Sequence, residues 1–133
     1  MNLADVMDGL ADVLATLPGL RVFAYPPDDV APPAGIVGYP TLLTYDAVMG
    51  GGANRADVPV HVVVGRASSR AARDALTEYV ATSGAKSFHA ALEDDPTLGD
   101  RAQAARVVSV AGVSLTIGGV SYVAAEFTVD VIA

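Results

Sequence analysis

The sequence predicts an α+β fold: a mixed, mainly antiparallel β-sheet with two main helices packed on one face and a long protruding β-hairpin. Three observations lead there. An apolar stripe at helical spacing opens the chain, a second such stripe follows several short β-like pieces, and two long β-rich arms flank Gly118-Gly119 at the end. The 133 residues leave room for a single domain, 1–133.

The first helix spans about residues 3 to 17. Leu3, Val6, Met7, Leu10, Val13, Leu14 and Leu17 recur at the three-and-four spacing of one face, with Asp5, Asp8 and Asp12 opposite. Asn2 is a suitable N-cap and Asp5 favours the positive end of the helix dipole. Pro18-Gly19 ends the element.

Short extended pieces follow at Leu20–Ala24, Gly35–Tyr39 and Leu42–Ala47. The prolines at 26, 27, 32 and 33 stiffen the connection between the first two. The stretch from Val48 to Arg55 holds Gly50, Gly51 and Gly52, whose ordering is costly, and it reads as the tip of a hairpin. A strand over Asp57–Gly65 places Val58, Val60, Val62 and Val64 on one face and Pro59, His61 and Val63 on the other. Pro59 is expected near the strand start or on an edge, because proline donates no ladder hydrogen bond.

Ser68 or Ser69 caps a second helix running to about Ala81, with Ala72, Ala75, Leu76, Tyr79 and Val80 as its buried stripe. Phe88–Leu92 reads as a short helical turn and Asp94–Asp100 as a loop.

The closing hairpin is expected over Arg106–Ile117 and Val120–Ile132, around a two-residue Gly-Gly turn. If Ile117 faces Val120, then Val110 faces Phe127 and Val108 faces Val129. Those pairs form an apolar face at the open end. Near the turn Val113, Leu115, Ile117, Val120 and Tyr122 form an apolar patch on the opposite face. Either a β-bulge near Gly112 rotates the register, or a second subunit covers the patch.

Composition narrows function by exclusion. Eight basic residues are scattered along a chain of net charge −7, which argues against tight nucleic-acid binding. With no cysteine there is no disulfide, thiolate metal site or thiol nucleophile. The first residues lack the pattern of a signal peptide and no apolar run reaches the ~20 residues of a membrane span. The expectation is a protein kept in the cytoplasm until it joins an assembly, without a membrane.

No catalytic, metal or cofactor set is found. His61 lies among valines and His89 among alanines, neither with a nucleophile or carboxylate at a recognisable spacing. Asp94, Asp95 and Asp100 do not match an EF-hand loop, and a solvated acidic loop explains them better. Gly50-Gly51-Gly52 lacks a following Gly-Lys-Ser/Thr and precedes a strand. The chain reads as a non-enzyme that needs no cofactor.

The order of elements, with several local stretches, resembles the tail terminator (neck) proteins of long-tailed bacteriophages along nearly the whole chain. The stretches are Leu17-Pro18-Gly19-Leu20-Arg21-Val22-Phe23, Tyr25-Pro26-Pro27-Asp28, Gly38-Tyr39-Pro40, Val60–Gly65 running into Ser69–Leu76, and Ile117-Gly118-Gly119-Val120 followed by Tyr122. The resemblance implies a virion protein that forms a homohexameric ring at the head-proximal end of the tail tube. Such a ring stops tube polymerisation and docks the head-completion (stopper) protein, while DNA passes through its lumen without specific binding. Six copies would carry −42, six times −7, which discourages DNA from adhering.

With the family in view, the patch of Val113, Leu115, Ile117, Val120 and Tyr122 is expected at the subunit interface. The loop of Met49, Gly50, Gly51, Gly52, Asn54 and Arg55 is expected to order against the tail tube or stopper. The rival readings are another neck or minor tail component, a small oligomeric enzyme with a site between subunits, and an accessory protein with a ligand-binding sheet.

Overall fold

A computed structural model describes residues 2–24, 27–45, 53–66 and 70–133. The expected α+β architecture is present. Helix α1 (Leu3–Ala15) leads into strands β1 (Arg21–Phe23), β2 (Ala34–Val37), β3 (Leu42–Thr44) and β4 (Arg55–Arg66). Helices α2 (Arg70–Val80) and α3 (Phe88–Asp94) follow, then β5 (Ala104–Ile117) and β6 (Val120–Ile132). The six strands form one sheet in the order β1-β2-β4-β6-β5, with β3 paired to β4 beside β2. The β1–β2 pair is parallel and every other pair antiparallel.

Local chemistry sets the element ends. The Asn2 Oδ1 accepts from the Asp5 N–H at 3.2 Å, the expected N-cap. α1 stops two residues short of the expected Leu17, as Thr16 and Leu17 donate to carbonyls only three residues back. The expected cap of α2 at Ser68 or Ser69 lies outside the described residues.

The helices pack on one face of the sheet. There Val58, Val60 and Val62 of β4 and Ala125, Phe127, Val129 and Val131 of β6 meet Val6, Leu10, Val13 and Leu14 of α1. Tyr79 of α2 and Phe88 and Leu92 of α3 complete this main core. Phe88 meets Phe127 edge-on, with ring centroids 5.0 Å apart. Two glycines allow the close approach. A Cβ on Gly35 would lie 3.1 Å from a Leu14 methyl, and one on Gly65 would lie 2.7 Å from the Ala72 Cβ.

Pro59 overturns one expectation, since it sits in the middle of β4 in the centre of the sheet. The Pro59 carbonyl accepts from the Gly38 N–H at 2.8 Å, on the side where β2 gives way to β3 as the neighbour of β4. A strand's N–H and C=O at one residue point the same way. The absent N–H therefore faces Gly38, just past the last ladder pair of β2, where β2 gives way to β3.

The hairpin register holds from Ile117↔Val120 to Ser109↔Thr128. It then shifts, so Val107, and not Val108, faces Val129. The bulge is at Val108 rather than near Gly112. A second shift, between Val63 and Gly65, interrupts the β4–β6 ladder.

Neither bulge accounts for the change of apolar side along the hairpin. Coverage does. Near the open end the helices cover one face. Near the turn the opposite face carries a smaller core of Val30, Ala34, Ile36, Val63, Tyr122 and Ala124. The proline-rich connection supplies its cover: Val30 is buried, and the backbone of Asp28 lies against the Gly118 turn. Each end of the hairpin is therefore apolar on the face that is covered there.

Candidate assembly interface

The five residues expected to need a second subunit find partners within the chain. Tyr122 is 6% exposed, and its hydroxyl lies 3.4 Å from the Val30 carbonyl as donor. Val113, Leu115, Ile117 and Val120 pack, partly buried, against the smaller core, which Phe23 also flanks. They remain only partly covered, and they share one face through the Leu115↔Tyr122 and Ile117↔Val120 pairs.

Of the expected tube-or-stopper loop, Met49, Gly50, Gly51 and Gly52 lie outside the described residues. Asn54 and Arg55 are tied to the end of the sheet. The Asn54 N–H donates to the Ala133 carbonyl at 2.7 Å, and the Ala133 N–H returns the bond at 3.0 Å. The Arg55 Nε stands 3.2 Å from Asp130 Oδ1, and the Arg106 Nε approaches the other oxygen at 3.8 Å. Asp130, largely buried, is thus balanced by cations from both neighbouring strands.

The titratable residues weighed as enzymatic are dispersed. His61 pairs across the ladder with Glu126 at 3.4 Å, and His89 pairs with Glu93 one helical turn on at 3.5 Å. The Asp94–Asp100 loop is internally bonded, with Asp95 Oδ1 accepting from the Gly99 N–H at 3.2 Å. Leu98 adopts φ 54° there while its side chain is buried beneath α1, where a Cβ on Gly9 would come within 2.8 Å of it. The loop anchors α1. Among the described residues no group of three or more His, Asp or Glu side chains is placed to hold a metal ion. No helix among them is long and apolar enough to cross a membrane.

Arg101 fastens the same loop to α1 by donating to Asp12 Oδ2 at 2.7 Å. That hydrogen bond holds the guanidinium above its ordinary range; slight desolvation opposes it, and the charges of Asp12, Asp5 and Asp8 add to it. Beside this pair an open groove of about 550 Å³ runs between α1 and α3 over Val13, Leu17, Ala90 and Ala91, rimmed by Asp12 and Asp94.

A different feature stands out on the surface. Among the described residues the large apolar side chains that are well exposed are Tyr39, Leu42, Tyr45, Val108 and Val110. The first three lie on or beside β3 and the last two on β5, at opposite lateral edges of the sheet. Tyr39 is 70% exposed and Val110 is 42% exposed. Sequence reasoning assigned Val108 and Val110 to an apolar face and gave Tyr39 no interface role, since edge position depends on strand order. One signal was present. The two longest stretches without Asp, Glu, Lys or Arg run from Val30 to Tyr45 and from Val107 to Ala125, and they contain these residues.

No protein-family model matches the chain, and no curated protein matches it either.

Proposed function

We propose that this chain is a structural subunit that assembles head to tail into a ring and acts as a tail terminator of a long-tailed bacteriophage. One observation carries the assembly part of this reading: the exposed apolar side chains sit at two different edges of one sheet. A patch that meets a different patch on the next copy makes a heterologous contact, and heterologous contacts close into rings when the rotation permits. The order of helix, short strands, helix and long hairpin is the support for the terminator identity.

In this reading the ring is a homohexamer in the virion neck that caps the tail tube and receives the stopper protein. It works without a cofactor or catalytic step, and its acidic character keeps passing DNA from adhering. The decisive experiment incubates purified protein with purified tail tubes, with native mass and electron microscopy as readouts. A sixfold ring, free or at one end of each tube, is the expected result. Protein that stays monomeric and leaves tube ends bare and growing overturns the reading. Binding at heads rather than tubes would assign the chain to the stopper position instead.

A further inference from the structure

We infer that the contact between copies continues the sheet through its two outermost strands, with β1 of one copy laid antiparallel along the middle of the next copy's β5. The inference rests on the ring reading above and specifies the surface that the ring uses.

Four observations support it. The first is position. In the order β1-β2-β4-β6-β5 the end strands are β1 and β5, and among the described residues no strand lies beyond either. β3 is set back, since it shares the flank of β4 with β2. A copy arriving from that side therefore meets β1 before β3.

The second is height and direction. Val22 pairs with Gly35, Gly35 with Val62, Val62 with Ala125, and Ala125 with Gly112, making one row across the sheet. A neighbour displaced sideways sets Val22 beside Gly112 without sliding along the strands. By the same rows Phe23 meets Ala111 and Arg21 meets Val113. β1 runs with β2, and three antiparallel pairings separate β2 from β5, so β1 and β5 run in opposite directions. Rotation about an axis along the strands leaves these directions unchanged, and the new pair is antiparallel.

The third is the aim of the backbone groups. The Arg21 N–H donates to the Pro33 carbonyl at 3.1 Å, on the β2 side. The N–H and C=O of Val22, the next residue, are therefore turned outward. On β5 the two-residue turn makes Ile117 and Val120 a hydrogen-bonded pair. Alternation from Ile117 turns Val113 and Ala111 towards β6 and Gly112 outward. The row that joins Val22 to Gly112 thus joins two residues that each offer a donor and an acceptor to the other. A shift of one residue would set outward groups against inward ones.

The fourth is the surface. From Val107 to Ile117 the β5 edge has no charged residue and no proline, the usual protections of an open edge. Between Val13 and Pro27 the one charge is Arg21, opposite in sign to the net −7 of the chain it would meet. A Cβ on Gly112 would meet nothing within 4 Å, and an open cavity of about 310 Å³ lies between it, Ser114, Arg73 and Leu76. The edge has room for a neighbour there. Farther along, Tyr39 sits between the Gly38 N–H, bonded to Pro59, and the Thr41 N–H, bonded to Asp57. That is the height of Val58, whose row runs through Val129 to Val107. With β1 seated, the neighbour's β5 passes this point at two strand spacings, about 10 Å. The exposed Tyr39 then faces the exposed, bulged Val108 across the slot.

The absence of cysteine makes the test direct. Arg21 and Val113 would form a non-hydrogen-bonded pair, the closer kind, within disulfide reach. Arg21→Cys and Val113→Cys are made singly, mixed in equal amounts and oxidised, with Thr77→Cys on the exposed side of α2 as control. The expected result is covalent dimer from the mixture, and none from either variant alone or with Thr77→Cys. Dimer from Val113→Cys alone would mean β5 pairs with its own copy about a twofold axis, which overturns the inference. Rings of normal mass without the disulfide would overturn it too, yet leave the ring reading standing. A wild-type chain that is monomeric even on tail tubes removes both. A second variant tests the contact without cysteines. Gly112→Pro deletes the outward N–H and leaves the bonds to β6 in place. It should keep the helical circular dichroism and melting temperature of the wild type while raising the concentration needed for assembly at least about tenfold. Should the proline lower the melting temperature, Val110→Lys on the same edge takes its place with the same expectation. Assembly at the wild-type concentration by a stably folded variant overturns the inference.

Discussion

Single residues decide the packing at a few close approaches, and their substitutions separate the chain's two cores. Phe127 is buried at the centre of the main core against Phe88. Phe127→Ala should cost about 3–5 kcal/mol by chemical denaturation. Gly65 has no room for a methyl beside Ala72, so Gly65→Ala should cost about 1–3 kcal/mol unless α2 shifts away. A thermal melt unchanged from wild type would show that the helix gives way easily. Tyr122 is a different case. It is buried in the smaller core, so Tyr122→Asp should lower stability by about 3 kcal/mol or more and is unsuitable as a probe of assembly. Leu115→Asp, at a partly exposed position, should be milder, and a Leu115→Asp variant as unstable as Tyr122→Asp would place Leu115 fully inside the smaller core.

At the level of elements, what could be read in the sequence was what depends on near neighbours. The stripe of Val6, Leu10, Val13 and Leu14, the Asn2 cap, the Gly118-Gly119 turn and the alternation of Val58, Val60 and Val62 follow from local periodicity and local chemistry. The hairpin pairs came out correctly as far as Ser109, because a two-residue turn imposes its register outward until something interrupts it. Val108 interrupts it, and no turn or glycine marks the place. The central seat of Pro59 was equally hidden, since it depends on where β2 ends and β3 begins on the flank of β4. The candidate surface was half legible. Its uncharged stretches are visible in the chain, but which of them form edges is decided by a strand order that sequence spacing does not reveal. Gly118 and Gly119 both adopt positive φ, 59° and 79°. Replacing either with valine should destabilise the hairpin by about 1 kcal/mol or more, read as an earlier melting transition, whereas Gly118→Asn, which tolerates the positive φ but brings a Cβ 3.2 Å from the Asp28 carbonyl, should cost less than Gly118→Val.

For the whole molecule, one sheet is buried in two places on two sides. The helices hold one face towards the open end of the hairpin, and the connection around Val30 holds the other face towards its turn. Among the described residues no strand pairs with the outer side of β5 or of β3. Mutations in the main core should therefore change folding without changing the order of assembly, and mutations on the edges should do the reverse. Native mass and melting temperature measured on Phe127→Ala and Val110→Lys would show that division, and its failure would mean that folding and association are one event.

The unequal size of the two cores has a consequence for hydrogen exchange. The cover over the hairpin turn is a single connecting segment, whereas three helices hold the other end. Lifting that segment exposes Leu115, Ile117 and Tyr122 and leaves the helical layer seated. The amides of residues 113–123 should accordingly exchange by a lower-energy opening than those of residues 125–131 on the same strand pair. A rise in protection confined to 113–123 when copies associate would then mean that the neighbour clamps the loosest corner of the sheet.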